Sequence, residues 1–135
     1  LVGIWSYNAP AIVDIVTQLK RRKDFTIVTF DAEPVAIDHM KKGMIDAMAV
    51  QNPHAMGYEG VRMLRALIKD DKAALAEMEK RMNRTEEKDL FDTGLKIIIP
   101  DEGSPLADVQ FGDNTNKLTL SKFTEWLKSK GLQGS

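Results

Sequence analysis

Apolar residues in the first half of the chain come as short blocks separated by amphipathic stretches. The blocks LVGIW at 1–5, FTIVTF at 25–30 and DAMAV at 46–50 have strand length. They are rich in β-branched and aromatic residues or small aliphatic ones, which predicts strands. In the second block only threonines interrupt the apolar residues, as in a strand covered by helices on both faces. Between the blocks the period changes. Ile12, Val13, Val16 and Leu19 or Lys20 follow helical spacing, so a helix is expected from about residue 9 to 22. Asn8 suits its N-cap, and Pro10 suits the first turn, where a missing N–H leaves nothing unpaired. The basic residues Lys20, Arg21, Arg22 and Lys23 read as a solvated last turn that favours the helix dipole.

A second helix is expected from Glu33-Pro34 to about Lys42, with Gly43 as its C-terminal cap. A third should open with Asn52 as cap and Pro53 in the first turn, with Met56, Gly57, Gly60, Val61, Leu64 and Ile68 at helical spacing. Residues 69–89 mix charges of both signs around Ala74, Leu75, Met78 and Met82. That pattern predicts an amphipathic helix with a mostly solvated surface. LKIII at 95–99 reads as a buried strand stopped by Pro100. The Gly-, Asp- and Asn-rich run 101–116 reads as loop. A last helix is expected from 119 or 121 to 130, with Phe123, Trp126 and Leu127 on one face and Gly131 ending it.

Strands alternating with helices predict an α/β fold with a parallel sheet and helices on both faces. Parallel strands joined by crossovers end on the same edge, and ligands bind at that edge in open α/β sheets. Just past the three strands stand Asn8, Asp31 and Gln51. A carboxylate accepts two hydroxyl protons, and a primary amide both donates and accepts. Together they match a polyol, with charge-assisted bonds to Asp31 the strongest. Trp5 and Tyr7 supply an apolar platform for the C–H face of a sugar ring. Each residue also has a purely structural role open to it: Asn8 and Asn52 as caps, Asp31 as the start of a turn, Trp5 as core.

Composition narrows the function classes. A length of 135 residues suits one domain or a piece of a larger protein. The formal net charge of −1 gives no electrostatic case for nucleic acid or an anionic membrane. No apolar run approaches the roughly 20 residues that span a bilayer. With no cysteine, disulfides, thiol nucleophiles and thiolate metal sites are excluded, while the compartment stays open. No G-x-S-x-G and no glycine-rich phosphate loop is present. His39 and His54 lie on expected helices without acidic partners at metal-ligand spacing. Asp31 and Glu33, two apart at a strand end, point different ways rather than forming an acid–base pair. The reading is therefore of a binding protein with no catalytic residue, no metal and no cofactor.

The segments VGIWSYNAPAI and TIVTFDAEPVAIDHMKKGMIDAMAVQNPHAMGYEGVRML resemble the C-terminal lobe of periplasmic sugar-binding proteins of the ribose and galactose type. In that family a strand ends in Asn before a helix. A second ends in a Phe-Asp turn followed by a lysine-glycine segment. A third ends in Gln before an Asn-Pro or Leu-Pro helix start, and that helix carries a Gly-Tyr or Gly-Ala pair. The resemblance covers about residues 1–99. It implies that Asn8, Asp31 and Gln51 bind sugar hydroxyls. Ala9 stands where many relatives carry Asp, so that end of the site differs.

Family members have two lobes joined by crossing strands. They close on a monosaccharide and deliver it to the membrane permease of an ABC transporter, with a secretory leader directing them to the periplasm. The resemblance thus implies that residues 1–94 are part of a C-terminal sugar-binding lobe. Residues 95–104 would be a strand and hinge crossing, and 105–135 a loop and terminal helix. The other lobe, and the opening strands of this one, would lie upstream. Half the cleft would then be absent, so this chain alone should bind sugar weakly or not at all. The open sheet edge would invite a dimer or a swapped assembly, which light scattering of a clean monomer at high concentration would contradict. Two further readings share the fold: the effector-binding core of a lactose-repressor-type regulator, which needs a basic helical headpiece upstream, and a small sugar-acting enzyme, which needs a base or nucleophile beside the rim.

Overall fold

The computed structural model describes residues 1–82 and 90–135. It divides into two compact units, Leu1–Gln51 with Leu95–Ser135, and Asn52–Gly94.

The first unit is an α/β sheet of order β1-β2-β3-β4-β5. Its elements are β1 (Val2–Gly3), α1 (Asn8–Gln18), β2 (Val28–Phe30), α2 (Pro34–Lys41), β3 (Ala47–Val50), β4 (Leu95–Ile99), β5 (Thr115–Thr119) and α5 (Leu120–Ser129). The second unit holds α3 (Pro53–Ile68) and α4 (Lys72–Glu79). The first three strands are parallel, with Gly3 level with Thr29 and Phe30 level with Ala49. β4 then runs antiparallel to β3, and β5 parallel to β4. The α/β class is as expected, but the sheet is mixed rather than all parallel.

Apolar faces of α1, α2 and α5 share one core. Val13 and Val16, then Ala36, Ile37 and Met40, and then Leu120, Phe123 and Leu127 are buried together with Ile27, Met48 and Ile98 from the strand layer. Asn8, expected as the N-cap of α1, is instead its first residue, behind Tyr7, and no side-chain cap bond forms there. The signals around α2 act where they stand in the sequence. Pro34 sits in the first turn of α2, and Gly43 follows the helix at φ +71°, a conformation that glycine adopts without a Cβ penalty. α1 stops at Gln18, short of the expected end. Lys20 turns left-handed at φ 54°, and Arg22 begins a short 3₁₀ turn.

β5 lies within the tail where only loop and helix were expected. Its residues TNKLT carry a single large apolar side chain, Leu118. Parallel strands usually need a helical crossover, yet β4 and β5 are joined by the loop 100–114. The Lys117 ammonium gathers that loop by donating to the carbonyls of Leu106 at 3.1 Å and Val109 at 2.9 Å, and also to that of Ala107. Lys96 lies with its ammonium 4.3 Å from the Trp126 ring centre, and burial lowers its pKa.

The start of α5 is capped from a distance. Asp101 accepts from the Ser121 backbone N–H at 3.0 Å and from its hydroxyl at 2.9 Å. The Ser121 N–H bond is the main cause holding the Asp101 carboxyl below its ordinary range, followed by the hydroxyl. A depressed folded pKa means the carboxylate adds stability above the unfolded value, near pH 4, and loses it as pH falls through the folded pKa. The stability gap between the native chain and Asp101→Ala is therefore expected to be full at neutral pH and to close in acid. Urea titrations from pH 7 to 3 would show it; a gap independent of pH would contradict the cap.

In the second unit Asn52 caps α3, its side chain accepting from Ala55 N at 3.1 Å. Ala66 of α3 and Met78 of α4 are buried. Glu59 pairs with Arg62 and Arg81, which ties α3 to the end of α4. The expected apolar positions Met56, Val61, Leu64 and Ile68 are exposed. A Cβ at Gly57 or Gly60 would meet nothing within 4 Å. Of the helix expected across 69–89 only Lys72–Glu79 forms, as α4; Met82 instead bridges Phe91, and residues 83–89 lie outside the described residues.

Candidate functional site

β1, β2 and β3 are neighbours running the same way, so Asn8, Asp31 and Gln51 follow three adjacent strand ends. With strands about 4.8 Å apart, the ends of the outer two lie roughly 10 Å apart.

Asn8 stands beyond the turn that follows β1. Its backbone N–H donates to Trp5 O at 2.8 Å, while its side-chain oxygen accepts from Trp5 N at 2.9 Å. The amide oxygen is thus spent on closing the turn, and the amide N–H₂ is the group suited to a ligand. A Cβ at Gly3 would come within 3.0 Å of Asn8 Cβ and 3.2 Å of Ile12 Cδ1. Only glycine at the end of β1 lets Asn8 sit this close to the strand.

The strand expected at 1–5 is confined to Val2–Gly3. Trp5 falls in the turn and is 62% exposed, so it is not core, and Tyr7 is 66% exposed. Both lie on the turn that carries Asn8.

Asp31 follows β2 directly. Its N–H donates to Ala49 O at 2.9 Å, which carries the ladder one residue past the strand. Its φ is +64°, a left-handed conformation that Asp tolerates better than most residues. It is partly buried, and no hydrogen bond to its carboxylate is found among the described residues. Gln51 follows β3, is exposed, and closes the first stretch of the first unit.

One neighbour of this rim had no signal in the sequence. Ala32, next to Asp31, exchanges two backbone hydrogen bonds with Ser135: Ala32 N to Ser135 O at 2.6 Å and Ser135 N to Ala32 O at 3.1 Å. The pairing is about a hundred residues apart in the chain, and Gly134-Ser135 carries no pattern that announces it.

Among the described residues no group of three or more His, Asp or Glu could hold a metal ion. His54 stacks on Tyr58 at 6.5 Å between ring centres, within α3. No described helix is long and apolar enough to cross a membrane.

A parallel β-α-β-α-β edge with hydrogen-bonding side chains at successive strand ends defines an α/β ligand-binding class. The sequence places the chain further. It belongs to the family described as periplasmic binding protein domain, whose family model matches residues 1–72, more than half of the chain. A similar solved structure is that of GanP, a glucose-galactose binding protein from Geobacillus stearothermophilus, at 32% identity and a TM-score of 0.48. The match covers 51% of this chain and 25% of that one, so it spans a quarter of the relative's length. No curated protein matches the chain.

Proposed function

We propose that this chain supplies part of one lobe of a periplasmic binding protein that takes up a monosaccharide. The complete protein would hold the sugar between two lobes and pass it to the membrane permease of an ABC transporter. It binds its ligand and does no chemistry on it. Asn8, Asp31 and Gln51 are the proposed contacts, with Trp5 and Tyr7 against the apolar face of the ring. The observation that carries the reading is the Asp31 carboxylate, which accepts no hydrogen bond among the described residues and stands past the middle of three adjacent parallel strands. A sugar offers vicinal hydroxyls to such a carboxylate, and the flanking amides complete the pattern.

The test is a titration of the chain with millimolar D-galactose, D-glucose and D-ribose, followed by amide NMR shifts. At least one sugar is expected to bind in the millimolar range, because one partial lobe offers only part of a cleft. Bonds to a charged group contribute about 1.5–3 kcal/mol each. Asp31→Ala should therefore weaken binding by at least about tenfold, which removes a millimolar response. A native-like response in that variant would overturn the assignment.

A further inference from the structure

We propose that Gly134 and Ser135 are positioning residues for Asp31, holding the turn that presents its carboxylate. The proposal rests on the reading of Asp31 as a ligand contact and adds a part of the chain that no motif assigns to the site. Residues with a Cβ seldom adopt a left-handed backbone, and such conformations persist where the surroundings fix them. Asp31 at φ +64° is fixed on both sides. On one, its own N–H is bonded to Ala49 O of β3 at 2.9 Å. On the other, the fully buried Ala32 is bridged by Ser135 through the two bonds described above, at 2.6 and 3.1 Å.

Gly134 makes that bridge sterically feasible. A Cβ there would lie 2.8 Å from Ala32 O, 2.9 Å from Pro34 Cδ and 3.4 Å from Glu33 Cα. Two of these neighbours are backbone atoms that cannot swing aside. Any other residue at 134 must lift the tail from the start of α2.

The tail is itself anchored. α5 ends in Gly131 at φ +69°, and Leu132 N donates back to Leu127 O at 2.9 Å. Leu127 and Phe123 are buried in the core. Docking of α5 thus sets where Gly134 lies, and Gly134 sets the turn before Ala32.

The test compares the native chain with Gly134→Val and with a chain ending at Gln133, which removes the bridge without adding a clash. Amide hydrogen exchange at Asp31 and Ala32 is expected to speed up at least tenfold in both variants, with Thr29 and Met48 unchanged. The dissociation constant for the sugar that binds the native chain is expected to rise about tenfold, while the urea midpoint moves little. Unchanged exchange at Asp31 in both variants would overturn the proposal. So would faster exchange with unchanged sugar affinity, since the bridge would then be structural only. If no sugar binds the native chain, the proposed function fails instead, and the exchange comparison alone decides the positioning claim.

Discussion

Phe123→Ala is expected to destabilise the first unit by about 3–5 kcal/mol, the range for emptying a fully buried aromatic site. Phe123 is completely buried and stacks on Trp126 with ring centres 5.8 Å apart and planes 17° from parallel. It is the largest of the fully buried side chains. Its ring is also what seats α5 against the core that α2 and β4 share. Because whole domains are stable by only about 5–15 kcal/mol, such a loss should be plain in urea denaturation. The midpoint should fall with an unchanged slope. A change below about 1 kcal/mol would mean that α5 is not docked as described, and the tail beside Ala32 would lose its anchor as well.

Arg22→Ala is expected to cost about 2–4 kcal/mol, since it strips partners from a partly buried carboxylate and two carbonyls. Its guanidinium donates from Nε to Gly43 O at 2.9 Å, from Nη1 to Phe25 O at 2.7 Å and from Nη2 to Asp46 Oδ1 at 2.7 Å. Asp46 Oδ2 in turn accepts from Ile27 N at 2.7 Å. One side chain thus ties the segments entering β2 and β3 at the end of the sheet opposite the candidate site. Arg22→Lys should recover only part of the loss, because an ammonium cannot reach three acceptors through a planar fork. Full recovery by lysine in the same urea assay would show that charge alone matters there.

Arg22 also shows where sequence reading stopped short. In the sequence it is one of four consecutive basic residues after an amphipathic helix, and a solvated helix end is the natural reading. Its partners at Gly43 and Asp46 lie some twenty residues away, and nothing local points to them. The same holds for Asp101 capping Ser121 and for Ser135 pairing with Ala32. Such contacts depend on how elements pack, whereas periodicity reports only each element's own faces.

What was legible is what local chemistry controls. The apolar block LKIII became β4 over its full expected span. Proline and glycine bracketed α2 as their backbone preferences require. The placement of Asn8, Asp31 and Gln51 past adjacent parallel strands followed from connectivity alone. The reversal at β4 was not legible, because strand direction is set by the connection that precedes it and not by the strand's residues. β5 was missed because its polar alternation around Leu118 resembles the loop before it. Trp5 was misplaced because an aromatic next to an apolar run reads as more strand, while the Asn8 side chain actually folds the chain back at that point.

The most direct test of the central claim is a two-dimensional amide and side-chain amide NMR titration of the native chain with the monosaccharide that binds it. The account predicts that signals of Asn8, Asp31 and Gln51 move together and fit one dissociation constant, with those of Trp5 and Tyr7 following. Shifts confined to one of the three, or clustered at the Arg22 end of the sheet, would contradict it.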